Sequence, residues 1–116
     1  MAKIIIAHLP GEDPQTSVVA PTDLLKGQVV KVGNILYVAY VNAKAGNSVT
    51  VHVEANKATA TKANPAEVIG QFDTIYWSPT GVTKTASGNT KCGIALEPSS
   101  ANDEDIRILF KGTLGA

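Results

Sequence analysis

Asp103-Glu104-Asp105 is the densest group of carboxylates in the sequence and the first candidate for chemistry. A calcium loop needs oxygen ligands at alternating positions and a bidentate carboxylate to complete the shell. This run has neither, so it reads as a solvated turn. His8 and His52 stand alone, with no His, Cys or carboxylate at ligand spacing, which argues against zinc. Ser99, Ser100 and Cys92 are possible nucleophiles, but the sequence identifies no base beside any of them. Asp73 beside Tyr76 reads as structural, and the glycines sit at hairpin turns rather than in a strand-to-helix phosphate loop. The expectation is no catalytic residue, no metal site and no cofactor: a binding or structural protein rather than an enzyme.

The elements that would position these residues are short β-prone runs. In residues 73–77, Asp73, Ile75 and Trp77 alternate with Thr74 and Tyr76 with the period of two that a strand imposes. Ser78-Pro79-Thr80-Gly81 is a turn sequence, so residues 82–86 should return antiparallel, and Ser87-Gly88-Asn89 should turn the chain again. Cys92, Ile94 and Leu96 then form a bulky face, opposite a face of Gly93 and Ala95 that another backbone could approach closely. This predicts a three-strand meander whose core contains Ile75, Trp77, Cys92, Ile94 and Leu96.

Upstream, residues 28–32 and 35–41 read as a hairpin joined by Gly33-Asn34, a dipeptide suited to positive φ. Ile35, Tyr37, Ala39 and Val41 oppose Leu36, Val38 and Tyr40, so both faces are apolar and the strand should be buried on both sides. In residues 49–55, Val49, Val51 and Val53 should face the core, which puts His52 on the surface. Residues 57–62 alternate Thr and Ala with little bulk and read as an edge strand or connector. Residues 22–27 suit one helical turn ended by glycine or a wide turn, and residues 65–70 suit a single helical turn. Val38-Ala39-Tyr40 followed by Ala45-Gly46-Asn47 and VTVHV echoes Ile94-Ala95-Leu96 followed by Ala101-Asn102-Asp103 and IRILF. The echo reads either as an old duplication or as two hairpins converging on one pattern.

Composition narrows the function classes. The chain has 116 residues, enough for one domain with a real core. Hydrophobic residues are 44% but aromatics only 5%, so the core must be aliphatic, which suits thin β layers rather than an aromatic-walled pocket. Ten basic and ten acidic residues give zero formal charge, and Arg107 is the single arginine, so no nucleic acid and no anionic membrane is expected as a partner. One cysteine allows no intramolecular disulfide. Ile4-Ile5-Ile6 is too short for an export core or a membrane span, so synthesis in the cytoplasm is expected. Residues 1–16, broken by Pro10 and Pro14, read as an N-terminal arm ahead of a β domain over 17–116. The isoleucines either complete the chain's own sheet or reach a neighbouring subunit.

The run YWSPTGVTKTASGNTKCGIALEPSSANDEDIRILFKG resembles the C-terminal half of the small phage head decoration, or capsid cement, proteins. The matching features are Tyr76-Trp77, the Val-Thr strand at 82–85, Gly88-Asn89-Thr90, residues 93–97 and the closing strand at 106–110, with weaker likeness back to about residue 20. The resemblance implies an all-β fold, a small antiparallel β-barrel or sandwich with an extended N-terminal arm. It also implies a structural role: a phage or prophage protein that binds the outside of an assembled capsid, stabilises the major capsid protein shell, and is often a homotrimer. The expected location is the virion surface, after synthesis in the host cytoplasm. Expected capsid or subunit contacts are Ile4, Ile5, Ile6, His8, Leu9, Tyr37 and Tyr40. The alternative is a small carbohydrate- or peptide-binding module using Tyr37, Tyr40, Tyr76 and Trp77 as a platform.

Overall fold

The computed structural model describes residues 2–6 and 15–115, so His8 and Leu9 lie outside the described residues. The strands are β1 (Ile4–Ile6), β2 (Gln15–Val19), β3 (Val29–Val32), β4 (Ile35–Ala39), β5 (Ser48–His52), β6 (Glu54–Thr61), β7 (Thr74–Ser78), β8 (Gly81–Thr83), β9 (Thr90–Ala95) and β10 (Asp105–Lys111). They form two antiparallel sheets, ordered β1-β6-β10-β9-β7-β8 and β2-β5-β4-β3. Neither segment is helical: 22–27 is the wide turn of the two alternatives, and 22–27 and 65–70 are irregular, each with one isolated bridge, Leu24 to Ala43 and Ile69 to Ser99. The sheets do not close into a barrel, so the architecture is the sandwich-like one.

The Gly33-Asn34 hairpin forms as expected, with Val32 opposite Ile35. Gly33 alone takes the left-handed conformation, at φ 61°. β4 is buried on both faces. Leu36 and Val38 enter a core between the sheets with Ile75, Ile108 and Phe110, whereas Tyr37 and Ala39 enter a second core with Leu24, Val49 and Val51.

Four expectations are corrected. β9 pairs with β7 instead of β8, so the three strands are not a meander. The Glu67 carboxylate accepts bonds from Thr83 Oγ1 at 3.1 Å and from the Lys84 amide at 3.3 Å, so the end of β8 and the residue after it are held by the 65–70 loop rather than by β9. The alternation predicted for β9 slips: Cys92 and Ala95 are buried while Ile94 and Leu96 are half-buried. A bulge causes this, because Ile75 pairs with Gly93 but the next residue, Tyr76, pairs with Lys91. Gly93 does admit another backbone, as a Cβ there would lie 1.9 Å from Leu109 O. β6 is an interior strand, flanked by β1 and β10, since its small Ala55, Ala58 and Ala60 are what the core has room for. Finally, His52 is fully buried, with its ring edge-on to Tyr40 at 5.2 Å, because the small sheet is covered on both faces.

The internal echo extends to topology. The order β2-β5-β4-β3 of the small sheet recurs within the large one as β6-β10-β9-β7. The registers match: Val29 opposite Val38 and Val30 opposite Tyr37 correspond to Thr74 opposite Ile94 and Ile75 opposite Gly93. Val38 with His52 and Ala39 with Val51 correspond to Ile94 with Leu109 and Ala95 with Ile108. The connections match too. Leu24 exchanges backbone bonds with Ala43 as Ile69 does with Ser99, and the Gly27 amide donates to Ala39 O as that of Phe72 does to Ala95 O. Even left-handed residues recur, with Gly27 and Gly46 (φ 85° and 86°) matched by Phe72 and Asn102 (φ 69° and 82°). Two hairpins converging on one pattern would not share loop bonds and positive-φ positions this closely, so duplication is the better reading.

The halves stack in the same sense, with the back of the first (Leu36, Val38) against the front of the second (Ala95, Ile106, Ile108). That stacking buries His52, while Leu109, its counterpart, remains half-exposed. β1 and β8 are additions at the two edges of the second half.

Candidate contact surface

Asp103, Asp73 and Cys92, singled out for chemistry, make structural contacts. Asp103 accepts the Ser100 amide at 3.0 Å and its hydroxyl at 3.3 Å, closing the 100–103 turn. No group of three potential metal ligands occurs among the described residues. Asp73 accepts the Gly70 amide at 2.7 Å and so holds the turn before β7. Ser99 is buried.

Cys92 lies in the main core with Sγ 3.7 Å from Ile75 O, and burial pushes its thiol up to about 12. A thiol so shielded gives almost no thiolate at neutral pH. In the folded protein it is expected to resist iodoacetamide for hours at pH 8 and to react within minutes in denaturant; rapid labelling without denaturant would contradict this. The same shift fixes a sign. The unfolded chain loses this proton near pH 9 and the folded chain does not, so stability should fall as pH rises through that interval.

The expected contact residues divide by exposure. Ile4 is fully buried: β1 pairs antiparallel with β6, setting Ile4 opposite Ala60 and Ile6 opposite Ala58 over the main core. This is the chain's own sheet, and the Ile4 amide also donates to Gly27 O at 3.0 Å, tying β1 to the first half. Ile5 points outward, 38% exposed, into a shallow depression with Lys57, Thr59 and Arg107. Ile6 and Tyr40 are half-buried. Tyr37 is buried in the second core, and that burial raises its phenol above the ordinary value. Tyr37 therefore cannot share a platform with Tyr40, Tyr76 and Trp77, and these three are themselves only half-exposed, Tyr76 and Trp77 being neighbours on β7 of the large sheet and Tyr40 following β4 of the small one.

The apolar surface lies elsewhere. Val19, Leu25, Val41, Val68 and Phe72 are 46–67% exposed. Leu25 and Val41 flank a groove at the end of the small sheet, rimmed by the Asp23–Lys44 ion pair at 3.6 Å. Phe72 is exposed in a left-handed conformation where the first half has Gly27. An aromatic kept there carries backbone strain of about 1–2 kcal/mol and gains little burial within the chain. Sequence patterning gave no warning of it, since a Phe in a polar turn reads as an isolated hydrophobe. The outer face of the large sheet is mixed, with the Arg107–Glu97 pair at 3.3 Å on the same face as Ile5, Ile94 and Leu109.

A two-layer β sandwich without a cluster of catalytic groups among its described residues, and with apolar patches at its ends, is built for contact. The chain matches the model of the phage cement protein family over residues 10–111. It belongs to that family. No curated protein and no solved structure matches it. The cement family is structural, not enzymatic, and its role is to stabilise a capsid. Membership in it accounts for the aliphatic composition, because a cement protein needs a rigid body and contact surface rather than a pocket.

Proposed function

We propose that this protein binds the outside of an assembled phage capsid and stabilises the shell of major capsid protein, as a homotrimer on the virion surface. The family match across residues 10–111 carries this reading. The exposed apolar residues at the ends of the sandwich support it, since surface of that kind calls for a partner. Ile5 and Ile6 on β1 and Tyr40 beyond β4 act in the contact, and His8 and Leu9 are further proposed contacts, whereas Ile4 and Tyr37 act indirectly by holding the two cores. Adhesion is apolar and backbone-mediated, because a chain of zero net charge has little long-range attraction to offer.

The test is sedimentation of the purified protein with expanded, undecorated capsids across a salt series. Saturable binding is expected in a multiple of three copies per site, changing less than about threefold between 50 mM and 500 mM salt, since screening acts chiefly on separated charges. No binding at any salt would overturn the reading. A single copy per site would remove the trimer, and a steep loss with salt would remove the apolar account.

A further inference from the structure

We propose that the outer edge of β2 is a β-addition site for an extended, uncharged segment of the capsid protein; this rests on the cement reading above. The internal repeat is the argument. In the second half β6, the counterpart of β2, carries β1 on its outer side, with Ile5 opposite Thr59 and the Thr61 amide donating to Lys3 O at 3.1 Å. Thr59 and Thr61 correspond to Ser17 and Val19 of β2, because Ser17 faces Thr50 as Thr59 faces Arg107. The correspondence extends one strand further: the Tyr40 amide donates to Thr50 O at 3.2 Å and the Leu96 amide to Arg107 O at 2.9 Å.

Backbone groups in an antiparallel ladder alternate in direction. Thr50 turns its carbonyl toward β4, so Ser17 opposite it turns its N–H and C=O to the outer edge, as does Val19 two residues on. β2 ends the small sheet, and no described residue pairs with that side. Unprotected edges are normally blunted by charge, proline or a bulge. β2 reads QTSVV, with none of these, and it pairs with β5 without a register shift. The edge strand at the opposite side of the sheet, β3, carries Lys31.

The twin edge also indicates what fits. β1 is three isoleucines, two of which cap the core beside Ala58 and Ala60. A strand on β2 would likewise place alternate apolar side chains beside Thr16 and Val18, over the rim of the second core. A second copy of β2 fits less well: an antiparallel pair centred on Ser17 sets Val18 against Thr16 and Val19 against Gln15. The cement family's partner is the capsid, and its protein supplies the strand.

The test is amide exchange in the peptide spanning residues 15–19, for the wild-type protein free and bound to undecorated capsids, joined to capsid binding by Ser17→Pro and Lys31→Pro. Proline at 17 removes only the outward N–H. Exchange over 15–19 is expected to slow at least tenfold on the shell, and Ser17→Pro to bind at least tenfold more weakly while Lys31→Pro binds as wild type. Wild-type binding with unchanged exchange over 15–19 overturns this proposal alone, whether or not Ser17→Pro folds. Failure of the wild-type protein to bind capsids overturns the cement reading with it. Protection of 15–19 in the free protein that grows with its concentration identifies a second copy as the occupant and overturns the capsid assignment.

Discussion

A Gly112→Ala variant is expected to unfold, or to lose about 3 kcal/mol or more of stability, the upper range for overpacking against structure that cannot move. Gly112 is where the end of β10 crosses onto the small sheet. Its amide donates to Val53 O at 2.7 Å, and its carbonyl accepts the Leu36 amide at 2.9 Å. A Cβ at this position would stand 1.9 Å from Leu36 O and 3.0 Å from Val53 O, both of them backbone atoms with no rotamer to yield. Relief requires separating the strands, which breaks these two hydrogen bonds at the crossing. Gly46→Ala is the control. It has a positive φ but nothing within 4 Å, so it should cost only about 1 kcal/mol, the usual penalty of a left-handed alanine. Urea unfolding of both variants checks this, and equal midpoints would refute the account of the crossing.

Lys62→Met is expected to cost about 2–4 kcal/mol, in the range for losing hydrogen bonds to a charged group with restricted access to water. Lys62 is 3% exposed, and its ammonium donates to Pro65 O at 3.1 Å, Glu67 O at 2.6 Å and Ser100 O at 3.2 Å. The repeat explains why the amine is there. In the first half Ala20 does two jobs, its amide donating to Asn47 O and its carbonyl accepting from Gly46. In the second half the jobs are divided: the Lys62 amide donates to Glu104 O, and Pro65 O accepts from Asn102. The extra residues between them form a loop with no counterpart, and the Lys62 side chain fills and ties it. Methionine supplies the bulk without the donors, so the loss should appear as faster amide exchange over 63–70 and 99–103 as well as a lower melting temperature. A variant with unchanged exchange there would show that the amine ties nothing.

Much of the fold was legible because local chemistry and tertiary demand agree. Gly33 is where a hairpin turns, and the run from Ile35 to Val41, apolar on both alternating sets, is covered twice as far as Ala39, although the strand ends there and Val41 is exposed. Legibility failed where a neighbour decided the outcome. His52 sits on what reads as a solvent face, but the second half of the repeat covers it. Ile94 and Leu96 lost their places in the core to a bulge at Cys92-Gly93, and a one-residue slip reverses every side chain beyond it. Residues 57–62 read as an edge because alanine and threonine offer little bulk, although that smallness fits β6 between β1 and β10. The contact surface was the least legible part. Ile4 and Tyr37 have the right character for contact but are used inside, while Phe72 is singled out by its backbone conformation, which sequence does not display.

Cementing is measured by the rupture of expanded, undecorated capsids on heating, with and without saturating amounts of this protein. The decorated shell is expected to break at a temperature several degrees higher, with the gain rising in step with occupancy until the sites are full, because a ligand of the intact shell stabilises it by mass action. Rupture at the same temperature with every site occupied would contradict it, leaving a protein that adheres to the capsid without cementing it.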